Sequence, residues 1–107
     1  MANGILGTPT DLTAATDTVV YTVPSDNFAV VTVSIANRST QQRSVRLALS
    51  AAATPTNGEY IEYDSELIGN GVLERGGIVL QAGKNIVARC NSTDVSVVVY
   101  GLETSTA

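Results

Sequence analysis

Residues 28–50, FAVVTVSIANRSTQQRSVRLALS, alternate apolar and polar positions twice over. In the first run Val31, Val33 and Ile35 point one way and Thr32 and Ser34 the other. In the second run Val45, Leu47 and Leu49 oppose Ser44, Arg46, Ala48 and Ser50. A period of two with β-branched residues predicts two half-buried strands. The polar residues 37–43 between them predict the turn of an antiparallel hairpin. The second strand alternates cleanly, whereas Phe28 and Val30 place apolar bulk on the polar side of the first.

The same grammar continues along the chain. Residues 18–23 predict a strand stopped by Pro24, and 51–58, with Pro55 and an Asn-Gly pair, predict a loop. EYIEYD (59–64) predicts a short strand with Tyr60 and Glu62 on one face and Ile61 and Tyr63 on the other. VLERGGIVL (72–80) reads as a strand interrupted at Gly76-Gly77 by a bulge or a corner. Residues 85–90 and 95–101 predict a final hairpin closed by Asn91-Ser92-Thr93-Asp94. Seven or eight strands at this spacing, with no helical periodicity, predict an all-β, two-sheet antiparallel β-sandwich of jelly-roll or immunoglobulin-like topology. Residues 1–16 are polar and irregular and predict an extended N-terminal arm. The sandwich is expected over 17–103 and a flexible tail over 104–107.

The last strand, VSVVVYG, breaks the alternation. Val95, Val97 and Val99 fill one face, yet Val98 and Tyr100 put apolar bulk on the other. A strand with one face in water alternates cleanly, so cover on both sides is expected here. Phe28, Val30, Val98 and Tyr100 are therefore the expected subunit interface, with the folded-over arm as the competing cover.

Composition narrows the function classes. At 107 residues the chain is one domain. Only 15% of residues are charged, against about a quarter in typical domains, so the surface is built from Thr, Ser, Asn and apolar atoms. The net charge is −4, with Lys84 and five arginines as the only cationic side chains. No basic stripe with interleaved aromatics is present, so no nucleic-acid partner is expected. Arg38, Arg43 and Arg46 read as a solvated turn. No apolar run has membrane-spanning length, so no membrane partner is expected. The opening residues, MANGILGTPT, have neither a charged n-region nor an apolar h-region, so no signal peptide is expected. Two glycosylation sequons, at Asn37 and Asn91, are accordingly read as turns.

Candidate chemistry is sparse. The chain has no histidine and one cysteine, which removes Ser/His/Asp and Cys/His schemes and a zinc site of the usual type. Cys90 is in register with Ile86 and Ala88 and is expected to be a buried structural residue. Glu59, Glu62, Asp64 and Glu66 are the best remaining group. Carboxylates can serve a glycosidase or hold calcium, but the alternation splits these between faces, and they read as solvated strand-edge charge. No catalytic, metal or cofactor-binding residue is assigned, no cofactor is expected, and an enzyme is the least favoured class. A carbohydrate-binding module is the rival from another class, with Tyr60, Tyr63 and the acidic group as a sugar platform.

The series YTVPS (21–25), IANRS (35–39), VRLALS (45–50), EYIEYD (59–64), NGVLERGGIVLQAG (70–83) and VSVVVYGLE (95–103) resembles small virion structural proteins of tailed bacteriophages, cyanophages among them. The resemblance implies a non-enzymatic β-sandwich subunit of a virus particle, assembled in the host cytoplasm and localised to the virion. It implies the major capsid protein or other virion proteins as partners, and a homo-oligomer, with a trimer favoured. A capsid decoration or cement protein that stabilises the shell is the expected role, with a neck, tail or fibre-associated module as the alternative. In the decoration role, Ile5, Leu6, Pro9 and Leu12 of the arm would touch the shell.

Overall fold

The structure, a computed structural model, describes residues 3–106. Its eight strands are β1 (Asn3–Asp11), β2 (Thr18–Thr22), β3 (Asn27–Asn37), β4 (Arg43–Ser50), β5 (Tyr60–Leu67), β6 (Val72–Leu80), β7 (Asn85–Cys90) and β8 (Val95–Ser105). They form two antiparallel four-stranded sheets in the orders β1-β8-β3-β6 and β2-β7-β4-β5. Two such sheets packed face to face are the expected β-sandwich. Their strand order is that of a jelly roll, which decides between the two topologies left open by the strand pattern.

Both expected hairpins are corrected. β3 lies in the first sheet and β4 in the second, and the same separation divides β7 from β8. Among consecutive strands only β4 and β5 pair. The reason is that alternation defines an apolar face without naming the strand's neighbour. Val31, Val33 and Ile35 meet Val45 and Leu47 across the core rather than alongside them. Ile86, Ala88, Val95, Val97 and Val99 complete the same cluster.

The N-terminal segment is corrected as well. Residues 3–11 are extended, as expected, but they form the edge strand of the first sheet, pairing with β8 from Asn3↔Leu102 to Asp11↔Ser96. Leu6 (4% exposed) and Leu12 (2%) are buried in the core. The Leu12 N–H donates to the Val95 carbonyl at 2.9 Å. The irregularity that suggested an arm has a local cause: positive φ at Gly4 and Gly7 and a register shift between Leu6 and Thr10. Thr104 and Ser105, expected in the tail, belong to β8, and the Thr106 N–H donates to the Asp26 carbonyl. Residues 1, 2 and 107 of the expected arm and tail lie outside the described residues.

The Gly76-Gly77 interruption is a bulge. Val31 pairs with Ile78 but Val33 with Arg75, and Gly77 has φ +70°. The Arg75 guanidinium reaches across to Glu62 on β5, so one ion pair ties the β6 edge of the first sheet to the β5 edge of the second. On the opposite side of the sandwich the buried Tyr21 hydroxyl on β2 donates to the Glu103 carboxylate on β8. Burial and that carboxylate push the Tyr21 phenol well above its ordinary pKa.

Several carboxylates have depressed pKa values. Asp94 is lowered chiefly by the hydrogen bonds from Arg43 (2.9 Å to each oxygen), Asp64 by Arg46, Glu62 by Ser65, and Glu59 by the Thr56 N–H. A folded pKa below the unfolded value adds stability above that unfolded value and loses it as the pH falls through the folded one. The ordinary values here are 3.8 for Asp and 4.5 for Glu. The urea midpoint is therefore expected to be flat between about pH 7 and 5 and to fall from about pH 4 downward. A midpoint unchanged down to about pH 2 would contradict these pairings.

Candidate functional site

The outward positions of the first sheet form the most distinctive surface of the molecule. Inward residues alternate with outward ones along each strand, so the register fixes which side chains are neighbours. Leu102 on β8, Val30 on β3 and Val79 on β6 form one cross-strand row. Ile5, Tyr100 and Thr32 form the next, and Val98, Ser34 and Glu74 the one after. Ala36 and Val72 lie beyond, and Phe28 pairs with Thr104 at the other end.

All four residues expected at a subunit interface fall on this face. Val30 is exposed, and Phe28, Val98 and Tyr100 are half-buried by their neighbours. Four further apolar residues join them, with exposures of 61% for Ile5, 60% for Val72, 64% for Val79 and 43% for Leu102. Val79 is legible in the sequence, because Ile78-Val79-Leu80 breaks alternation just as 97–100 does. Leu102 extends the series Val98, Tyr100. Ile5 has no comparable signal, since its place on the face depends on β1 pairing with β8.

Charged groups are few on this face, whose polar residues are mainly Thr32, Ser34, Ser96 and Thr104. The Tyr100 hydroxyl donates to Glu74 at 2.8 Å, which raises the phenol's pKa. Asp11 and Arg38 form an ion pair at the far end of the sheet. Of the four residues expected to touch a shell, Ile5 lies on this face and Pro9 is exposed. Leu6 and Leu12 contribute to the core instead.

The second sheet's outer face is different in chemistry. Ala48 pairs with Tyr60, whereas Leu47 pairs with Glu62 and Val45 with Ser65, so β5 is bulged twice and Asp64 has φ +51°. These bulges correct the expected division of β5 into two faces. Tyr60 and Tyr63 meet edge to face, with ring centroids 5.0 Å apart. The Arg46 guanidinium lies 4.1 Å from the centroid of the Tyr63 ring and binds both oxygens of Asp64, at 2.6 and 3.1 Å. Asp64 holds the Arg46 pKa above its ordinary value.

The acidic group is dispersed. Glu59 accepts from the backbone N–H groups of Thr56 and Ala51 and so fastens the 51–59 loop. Glu62 binds Ser65 and Arg75, Asp64 binds Arg46, and Glu66 is exposed. Among the described residues no cluster of three potential metal ligands occurs, and no pocket opens in the surface. The three neighbouring arginines also part company. Arg38 pairs with Asp11, Arg43 with Asp94 and Arg46 with Asp64.

Cys90 is buried, as its register suggested, and its thiol donates to the Ser92 carbonyl. Burial pushes its pKa up, which disfavours a reactive thiolate. No helix of the described residues is long and apolar enough to cross a membrane. No family model matches the chain, and neither a curated protein nor a solved structure matches it.

Proposed function

We propose that the protein is a non-enzymatic structural subunit of a virus particle, a decoration protein that binds the outer shell of a tailed phage and stabilises it. The observation that carries this reading is the apolar outer face of the β1-β8-β3-β6 sheet. The core is formed by the inner faces, and Ile5, Val30, Val72, Val79 and Leu102 lie outside it. Exposed apolar patches of this kind mark protein–protein contact. The resemblance of the strand and turn series to phage virion proteins supplies the setting, and the low share of charged residues suits a surface partly covered in an assembly. The protein's partners in this reading are the major capsid protein and other copies of itself.

Quantitative mass spectrometry of purified particles tests it. Hundreds of copies per particle are expected for a shell protein. A handful would move the protein to a neck, tail or fibre, and its absence from particles would sink the virion role altogether.

The second sheet favours one further reading. Tyr60 and the exposed Tyr63 form an aromatic pair beside the Arg46–Asp64 ion pair, and aromatic rings next to bidentate polar groups suit a sugar. A glycan array with the purified protein decides this: specific binding lost in Tyr63→Ala supports a host-glycan role, and an empty array removes it.

A further inference from the structure

We propose that the partner of the first sheet's outer face is a second copy of this chain, packed sheet against sheet about a two-fold axis. The proposal rests on reading that face as an assembly surface and goes further by naming its occupant and geometry.

Three observations select a second copy. The first is charge. The chain carries a net −4, yet the carboxylates on this face are Glu74, bonded by the Tyr100 hydroxyl, and Asp11, which ends the Ala36–Val72 row beside Ser96 and is neutralised by Arg38. Of the other acidic side chains, Asp17, Asp26, Glu59, Glu62, Asp64, Glu66 and Asp94 belong to the second sheet or the loops, and Glu103 accepts from the Tyr21 hydroxyl on the inner side. Two anionic molecules meet with least mutual repulsion through the one surface that has almost no charge.

The second observation is size. Four strands about 4.8 Å apart, each presenting about nine residues at about 3.3 Å, cover about 600 Å². Two such faces bury about 1,200 Å² together, the lower bound for a stable specific pair.

The third observation is shape. The Leu102–Val30–Val79 and Ile5–Tyr100–Thr32 rows cross the middle of the sheet, and no strand among the described residues pairs over them. A sheet of this kind packs on another at about 10 Å with strands aligned to within about 30°, as the two sheets of a sandwich do. Contact of a patch with its own copy is isologous and closes at two, so a dimer forms and no open fibre does.

Sedimentation equilibrium with the purified full chain at tens of micromolar reads the result directly. The wild type is expected at twice the chain mass. Val79→Glu and Leu102→Glu, both at exposed positions, are expected to sediment as monomers, with a dissociation constant raised at least about a hundredfold by the unpaired buried charge. Their far-ultraviolet circular dichroism is expected to match the wild type, since neither side chain is in the core, while their urea midpoints lose only the concentration-dependent part that dimerisation adds to the wild type. Val79→Thr, nearly isosteric, is expected to weaken association without adding charge and serves if the acidic variants fold poorly. Ile68→Glu places the same change at an apolar residue, 72% exposed, off this face, and is expected to remain dimeric. A monomeric wild type, a trimer, dimers that survive both acidic variants, or equal dissociation by Ile68→Glu would each overturn the proposal. The copy number on particles is a separate measurement, so a monomer that still loads onto particles sinks the two-fold contact alone.

Discussion

Replacing Gly101 by valine is expected to leave the protein unable to fold. Gly101 sits in β8 between Val31 of β3 and Gly4 of β1. A Cβ at this position would lie 2.1 Å from the Val30 carbonyl oxygen and 2.8 Å from the Val31 Cα. Both are backbone atoms of a central strand, so no side chain can rotate away to make room. The φ of +152° adds strain for any residue with a Cβ. Relief requires β8 to move off β3, which breaks the ladder in the middle of the first sheet and opens the core beneath it. Even Gly101→Ala is expected to cost more than about 3 kcal/mol, in the range that marks a specific structural failure. Gly58→Ala is the control: nothing lies within 4 Å of its Cβ, and a change within about 0.5 kcal/mol is expected. Urea denaturation followed by circular dichroism measures both, and a Gly101→Ala midpoint close to the wild type would refute the close approach.

Asn37→Ala is expected to cost about 3 kcal/mol, which lowers the thermal midpoint by about 12–20 °C. Asn37 is the last residue of β3 and is 2% exposed. Its side-chain amide donates to the carbonyls of Gln41 (2.8 Å), Ile68 (3.0 Å) and Leu67 (3.2 Å), and its oxygen accepts from the Ser39 N–H at 2.9 Å. The Asn37 N–H donates to Gly71, and the Asn70 N–H to Ser39. One side chain thus fastens the β3–β4 connection to the β5–β6 turn. Gly69 allows the approach, since a Cβ there would lie 2.2 Å from the Thr40 carbonyl oxygen. Alanine removes both donor and acceptor and leaves buried groups without partners.

Asn37→Asp separates hydrogen bonding from simple loss of volume. An ionised aspartate accepts only and would face three carbonyl oxygens, so its folded pKa is expected above the unfolded value. Its penalty relative to wild type is therefore largest at neutral pH and shrinks as the pH falls through that raised value and the carboxyl regains a proton to donate. A penalty that is constant between about pH 7 and 4 would show that the amide's hydrogen bonds contribute little.

Strand content was readable because burial on one face leaves a period of two, and β6 and β7 have the predicted bounds. Pairing was not readable for the same reason: Val31, Val33 and Ile35 give one pattern whether their neighbour lies beside them or across a core. β1 escaped because Gly4, Gly7 and Pro9 obscure its alternation, leaving Leu6 as its one buried apolar residue. The bulges of β5 insert residues that a strict period of two cannot accommodate, so Tyr60 and Tyr63 meet instead of opposing each other. The outer-face residues Phe28, Val30, Val98 and Tyr100 were visible as violations of alternation, and such violations survive any choice of topology. Asn37 looked like a turn residue, since a sequence gives no hint that one amide will meet backbone from two distant loops.

The pairing of β8 with both β1 and β3 also sets an order of events during synthesis. Of the eight strands β1 leaves the ribosome first and β8 last, and β8 is β1's only partner in the sheet. Until residue 95 and those after it emerge, the nascent chain carries an N-terminal strand with no edge to join and a β3 that has only β6 beside it. The first sheet therefore cannot close while β8 is still inside the ribosome. The second sheet is under no such constraint, because β2, β4, β5 and β7 all precede β8, so it is the first sheet whose completion comes last.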